Sequence, residues 1–340
     1  MTFTEILHKV VDRQNLSTQE ARYALTQIIE GNCTDIEAGA LLFGMRAKGE
    51  TINELTAFVQ TMRNSMVKVE VNTDGAVDVC GTGGDYSGYF NISTAAMFVV
   101  AGAGVPVLKH GNRSVSSLTG SADVLDALGA KVDLKKEQVE KTFEKTGLAF
   151  MFAPLFHPAM KNIVPVRKSL KMRTFFNILG PLLNPAGVSR QIIGTFSTET
   201  AKKMADILAA LKTKKAITVH AHQGLDEISV LSATDCYEVK NGLVEEKQTF
   251  NPKDVGLIYT SDVALIGGDK TKNAEMILSI LNGSNHRIAE DMVMVNAAFA
   301  IQVSHDDLGI EDAIVMARES IRSGKALAIL KRYVKVSNEV

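Results

Sequence analysis

From Asp74 onward the chain alternates short apolar runs with helical patterns, and this alternation narrows the fold more than any other feature. "AVDVC", "VPVLK", "KVDL", "LAFMFA", "RQIIGTF" and "AITVHA" read as strands, with helices between them. Strand, helix and strand in succession predict a mainly parallel sheet. About the first 65 residues lack such runs and read as helix throughout. There Ser17 precedes Glu20, Thr34 precedes Glu37 and Thr51 precedes Glu54, the spacing of a capping box, while Gly31 and Gly49 supply stops. A proline-punctuated helical insertion, "LFHPAMKNIVPVRKSLKMRTFFNILGPLLNPAG", separates "FAP" from "RQIIG". The expected fold is α/β, a small all-helical domain plus a larger α/β domain with a central, mainly parallel sheet flanked by helices. The helical domain is expected over residues 1–70, rejoined by about 155–188, and the larger one over 71–154 and 189–340.

Composition excludes several function classes. With 46% hydrophobic and 22% charged residues, the 340-residue chain is globular material long enough for two domains. Lys and Arg total 37 against 38 Asp and Glu, so the net charge of −1 lacks the footprint of a nucleic-acid binder. The opening "MTFTEILHKVVDRQ" has no basic stretch followed by an apolar core, and "AAMFVVAGAGVPVL" is too short and glycine-broken to span a bilayer. The expectation is a cytoplasmic protein with no membrane and no nucleic-acid partner. Cys33, Cys80 and Cys236 are scattered, with no CxxC pair, and read as small core residues.

The first chemical motif is "DVCGTGGDYSGYFNIST", with glycines at 81, 83, 84 and 88 ahead of a helix that starts near Asn91 to Thr94. Glycine lets backbone N–H groups turn toward a ligand, and the helix adds its positive end, so the motif suits phosphate. A plain tight turn needs fewer glycines. The P-loop pattern is absent, and Tyr86 breaks GxGxxG. The second motif, "LKHGNRSVSSLTGSADVLDALG", repeats the logic one unit later. A strand ending at Lys109 leads through His110, Asn112, Arg113, Ser116, Ser117 and Thr119 to Gly120 and Ser121 at a helix start. Two neighbouring strand ends would then face one crevice, where open α/β sheets bind ligands, and Lys109 suits a multiply charged phosphate.

In the third motif, "AHQGLDEISV", Asp226 and Glu227 follow a strand. Such a dipeptide is ordinarily a solvated turn; beside two phosphate loops it reads as a Mg²⁺ site, because Mg²⁺ takes one or two carboxylates plus substrate phosphate. His220 and His222 alternate on that strand and read as structural, as do His8, His286 and His305. In the insertion, Arg167, Lys168, Lys171 and Arg173 form a basic cluster, normally a solvated face, where a guanidinium would also suit a substrate carboxylate.

Taken in order, "GTGGD…FNIST", "KHGNRSVSSLTGSADVL", "HPAMKNIVPVRKSL", "RTFFNILGPLLNPA", "GLDEIS", "GGDKTKNAEMIL" and "VNAAFAI" resemble the anthranilate phosphoribosyltransferases of tryptophan biosynthesis over nearly the whole chain. The resemblance implies a helical domain hinged to an α/β domain, as in nucleoside phosphorylases, and a homodimer built through the helical domains. It implies 5-phosphoribosyl 1-pyrophosphate and anthranilate as substrates, with Mg²⁺. Residue by residue, it implies that Gly81, Thr82, Gly83, Gly84, Asp85, Asn91, Ser93, Thr94, Lys109 and Ser121 hold the phosphoribosyl pyrophosphate. Ser93, Asp226 and Glu227 would serve the metal. Gly81, His110, Asn112, Pro154, His157 and Arg167 would line the anthranilate path, with Lys109, His110 and Asn112 nearest the chemistry. Two departures stand out: Lys171-Met172, where the family often has Gly after the Leu of "RKELGIRT", and "VHAHQGLDE" for "VHGxxGLDE". The competing readings are a nucleoside phosphorylase of the same fold and a non-catalytic nucleic-acid-binding relative, which should be basic and lack the Asp226–Glu227 pair.

Overall fold

The computed structural model describes residues 1–85, 87–114, 119–284 and 287–340. Four helices open the chain: α1 (Phe3–Val11), α2 (Thr18–Ile29), α3 (Asp35–Lys48) and α4 (Ile52–Ser65). All four begin with a capping box, the three expected ones and a fourth between Thr2 and Glu5. Each cap satisfies backbone N–H groups that a helix start leaves free, worth about 1 kcal/mol. The Glu54 box also reaches across the bundle. Its fully buried carboxylate accepts from the Leu16 N–H at 2.7 Å and pairs with Lys48 at 3.0 Å, pinning α4 to the link between α1 and α2.

Next come β1 (Asp78–Gly81), α5 (Ile92–Gly102), β2 (Val107–Gly111), α6 (Ser121–Ala127), α7 (Lys136–Thr146) and β3 (Leu148–Phe152). The insertion holds α8 (Ala153–Phe156), α9 (Val164–Leu170) and α10 (Phe176–Leu179). The chain then runs through β4 (Arg190–Gly194), α11 (Thr198–Ala210), β5 (Lys215–Ala221), β6 (Thr234–Lys240), β7 (Leu243–Val244) and β8 (Gln248–Phe250). It closes with α12 (Lys270–Leu281), α13 (Arg287–Ser304), α14 (Ile310–Arg322) and α15 (Lys325–Glu339).

The main sheet runs β1-β4-β5-β6-β7, with β8 also on β6. Strands β1, β4 and β5 are parallel, and β2 and β3 form a parallel pair that a bridge from Val77 to Val107 sets beside β1. The far edge is antiparallel, so the sheet is mixed. "KVDL", expected as a strand, is not one. Val132 and Leu134 are buried, but the Lys131 N–H is drawn off to the Ser337 hydroxyl of α15 at 3.1 Å, not into a ladder.

Alternating side chains send β4 and β5 into two cores. Ile192, Ile217 and Val219 join α5 and α13 on one face. Ile193 and Ala216 join α11, the N-terminal helices and insertion residues such as Val166, Phe175 and Leu179 on the other. Helix α5 is apolar on all sides, as befits a core helix, and no side chain from Thr94 to Ala101 is more than 9% exposed. Its end lies so close to α14 and α15 that a Cβ on Gly102 would stand 2.4 Å from the Ser320 hydroxyl oxygen. The floor beneath the two βα loops is therefore densely packed.

Candidate functional site

The glycine loop leaves the sheet at Gly81. The Thr82 N–H donates to the Gly194 carbonyl at 2.9 Å, and Gly83 and Gly84 then turn left-handed, with φ of 64° and 80°. A Cβ on Gly83 would meet nothing within 4 Å, so the loop face there is open and glycine is required by backbone conformation. At the Gly83 amide the loop meets the acidic pair, donating to Asp226 Oδ2 at 2.7 Å. Two further glycines make room for this contact: a Cβ on Gly81 would lie 2.7 Å from Asp226 Oδ2, and one on Gly194 only 1.5 Å from the Asp226 carbonyl oxygen. Gly194, at the end of β4, escapes sequence reading because it resembles any strand-terminal glycine. Tyr86 lies outside the described residues.

Asp226 and Glu227 sit in the link from β5 to β6. Just after them, Ile228 is clasped by buried Asn296 of α13, whose Oδ1 accepts from the Ile228 N–H and whose Nδ2 donates to its carbonyl, both at 2.9 Å. Protein packs densely around both carboxylates, yet each residue keeps part of its surface exposed. Burial and the nearby Asp85 charge push Asp226 up to about 7. Burial and Asp226 push Glu227 well above the usual carboxylate range, against the pull of Lys109 and the Ser93 backbone amide. Helix α5 has no side-chain cap at Asn91, and the Ser93 amide at its positive end favours the Glu227 charge. The repulsion among Asp85, Asp226 and Glu227 favours a cation. Among the described residues no three His, Cys, Asp or Glu side chains are grouped to enclose a metal ion. A partial set of hard oxygens, two carboxylates and the Ser93 hydroxyl, fits Mg²⁺, which keeps waters and shares substrate oxygens.

Lys109 is 2% exposed and reaches from β2 under β1, donating to the Val79 carbonyl and, at 3.3 Å, to the Ser93 hydroxyl. It lies behind Ser93, not out in the cleft. Glu227 and buried Asp78 both feel its charge: burial pushes each carboxyl up and Lys109 pulls it back down. Asp78 accepts from the His110 N–H at 3.2 Å and from Asn184 at 2.8 Å, so it orients the end of β2; nothing in the sequence marked it. The two predicted loops are cross-linked. Asn91 donates to the Thr119 carbonyl and accepts from Asn273, both at 3.0 Å, and the Thr94 hydroxyl meets that of Ser121 at 3.0 Å. Arg113 folds back onto Asp123 and Asp126, and the Asn112 side chain accepts from the Arg113 N–H. Ser116 and Ser117 lie outside the described residues.

Next to Lys109, His110 of β2 and His157, which follows α8, meet through their Nε2 atoms at 3.1 Å. Burial pulls His110 well below the usual imidazole range and His157 down to about 4, so both are neutral near pH 7. An unfolded chain protonates His157 near 6.5. Its depressed folded value therefore contributes stability that is present above 6.5 and is lost as pH falls toward 4. From pH 7 to pH 5 this single group is expected to cost about 2 kcal/mol. Denaturant titrations at the two pH values should show that loss largely removed in His157→Gln; an unchanged difference would place the acid sensitivity elsewhere.

Arg167, on α9, is half-buried over the Phe176 ring at 5.5 Å, and burial lowers its pKa. Among the described residues no carboxylate pairs with it, and no hydrogen bond or ring contact joins it to the histidine pair. Lys168 is exposed. Lys171 ends α9 in the left-handed conformation, φ 50°, so the chain keeps the turn without the family's glycine. Away from the cleft, His220 meets the Thr195 carbonyl, His222 pairs with Asp235 and His305 meets the Ser304 hydroxyl, while His286 is outside the described residues.

Residues 4–66 match the family model described as the helical bundle domain of a glycosyl transferase family, and residues 73–327 match that family's a/b domain. The anthranilate phosphoribosyltransferase of Salinibacter ruber is 46% identical over 98% of each chain. A crystal structure of the Thermus thermophilus anthranilate phosphoribosyltransferase superposes with a TM-score of 0.92 at 34% identity, covering 98% of this chain and 99% of that one. The Saccharomyces cerevisiae enzyme in complex with PRPP and Mg superposes with a TM-score of 0.91 at 25% identity, over 99% of this chain and 98% of that one. These matches favour the phosphoribosyltransferase reading over both competitors, and the chain belongs to the anthranilate phosphoribosyltransferase family.

Proposed function

We propose that the protein transfers the phosphoribosyl group of 5-phosphoribosyl 1-pyrophosphate (PRPP) to the amine of anthranilate in L-tryptophan biosynthesis, releasing pyrophosphate. The observation that carries the reading is the contact between the Gly83 amide and Asp226, which joins a phosphate-type backbone loop to a carboxylate pair in one cleft. Gly81, Thr82, Gly83, Gly84, Asp85, Asn91, Ser93, Thr94 and Ser121 would cradle PRPP. Mg²⁺, held by Asp226, Glu227 and Ser93, would neutralise negative charge on the pyrophosphate. Lys109 adds a fixed positive charge from behind Ser93, preorganised by its hydrogen bonds.

Departure of pyrophosphate leaves positive charge at the ribose carbon, so positioning and charge neutralisation supply most of the catalysis. The anthranilate amine is neutral near pH 7 and attacks through its own lone pair, which removes the need for an activated nucleophile. The proton that the amine loses goes to water, to the departing pyrophosphate or to His110, which burial keeps neutral and whose ring His157 holds. Asn112, Pro154 and Gly81 would complete the anthranilate path, with Arg167 on the carboxylate. The deciding experiment follows loss of anthranilate fluorescence with PRPP and Mg²⁺ omitted in turn. Turnover should require both; a chain that instead cleaves nucleosides with inorganic phosphate would overturn the reading.

A cytoplasmic location and the division into residues 1–70 with about 155–188 and 71–154 with 189–340 belong to the same proposal. So does a homodimer through the helical domain. It is supported by apolar side chains left in water: Ile36 and Phe43, seven residues apart on α3, are 85% and 57% exposed, and Val11, closing the adjacent α1, is 76% exposed. Phe43→Glu is expected to shift sedimentation from dimer to monomer at micromolar concentration; an unchanged dimer would put the interface elsewhere.

A further inference from the structure

We propose that Arg173 is a positioning residue that couples the phosphate loop to the acceptor-side insertion, so that occupancy of one substrate site is felt at the other. The proposal rests on the functional reading above and goes beyond it. Arg173 lies between α9 and α10, six residues past Arg167. Its guanidinium stacks on Phe196, in the link from β4 to α11, at 4.2 Å from the ring centre. From there Nη2 donates to the Gly84 carbonyl at 2.7 Å. Three segments remote in sequence meet at this one side chain: the insertion, the glycine loop and the end of β4.

The contact controls orientation as well as distance. In a trans peptide the carbonyl and the following N–H point opposite ways. Holding the Gly84 carbonyl toward Arg173 therefore turns the Asp85 N–H away from it. Gly84 fits this arrangement closely, since it is left-handed at φ 80° and a Cβ there would lie 3.0 Å from Nη2. Asp226 holds the Gly83 N–H from the other flank, so the loop is gripped by the acidic pair on one side and the insertion on the other. The Phe196 ring holds the guanidinium by a cation–π contact, and a charged donor makes the stronger kind of hydrogen bond. The left-handed Lys171 turns the chain at the end of α9, between the residue facing the acceptor and the residue holding the loop. A shift of the insertion that carries Arg167 is thus transmitted to the peptide of Gly84, and the reverse holds equally because coupling between sites is reciprocal.

The test is the dissociation constant of anthranilate, read by its fluorescence, with and without saturating inorganic pyrophosphate and Mg²⁺. In the parent protein the two constants should differ by about fivefold or more. In Arg173→Gln their ratio should fall close to one, while the affinity for either ligand alone changes by less than about threefold. Phe196→Leu, which removes the stacking surface and keeps the guanidinium, should lower the ratio in the same direction and serves if Arg173→Gln folds poorly. A ratio near one in the parent, or a parent-like ratio in the variants, overturns the coupling. So does an anthranilate affinity that falls equally with and without pyrophosphate, which would make Arg173 a direct acceptor ligand. A parent protein that binds neither ligand would instead sink the functional reading, a separate and recognisable failure.

Discussion

Asp226→Asn combined with Glu227→Gln is expected to lower kcat/KM by about three orders of magnitude, equal to about 4 kcal/mol of transition-state stabilisation and in keeping with the loss of a neutralising metal ion. The melting temperature should hold or rise. Both carboxylates sit above their ordinary pKa because burial and a neighbouring negative charge, Asp85 beside Asp226 and Asp226 beside Glu227, disfavour their charge in the fold, so neutral amides of nearly the same shape relieve a strain. After the substitution at Asp226 the Gly83 N–H still finds an acceptor, the carbonyl oxygen of the new side-chain amide, which preserves the loop. Initial rates across a Mg²⁺ titration, with calorimetry on the same samples, separate the two effects. Activity like the parent's, with an unchanged Mg²⁺ dependence, would remove the pair from the metal site; lost activity with a collapsed melting temperature would make it structural.

The split between carboxylates that destabilise and geometry that holds them in place also explains what the sequence could and could not reveal. Local signals read cleanly: a Ser or Thr three residues before Glu forms its cap regardless of the rest of the chain, and every capping box expected at α2, α3 and α4 is present. The alternation of β1, β4 and β5 read equally well, because buried parallel strands need continuous apolar runs. The residues that aim the site were silent. Asn296 looks like a polar residue in a buried helix until its side chain is seen bracketing Ile228, 68 positions earlier in the chain. Gly194 matters only because the Asp226 backbone crosses it. The antiparallel strand "TDCYEVK" was missed because charged residues interrupt its apolar pattern: its Glu238 pairs with Lys240 and Lys215, and Asp235 gathers His222 and Lys247. "KVDL" misled in the opposite sense, since its buried valine and leucine satisfy a strand pattern while its backbone has no ladder to join. Chemistry carried by residue type was legible, whereas chemistry carried by placement was not.

Arg167→Ala is expected to raise the anthranilate KM by roughly one to two orders of magnitude while leaving PRPP binding almost unchanged. The guanidinium is half-buried and desolvated over Phe176, and among the described residues it has no carboxylate partner, so a bound carboxylate would satisfy it directly. A charge-assisted contact of this kind contributes about 1.5–3 kcal/mol, and 1.4 kcal/mol is about tenfold in binding, provided KM tracks dissociation. The cation–π contact is lost with the same substitution, so Arg167→Lys is the needed companion: it keeps the charge but loses the planar fork, and it should recover only part of the affinity. Aniline supplies the decisive control, because it carries the amine without the carboxylate. It should be a poor substrate for the parent and lose little more in Arg167→Ala. Parallel losses for anthranilate and aniline would mean that Arg167 supports the fold of α9 or the donor site, and the acceptor carboxylate would then have to be met elsewhere in the cleft.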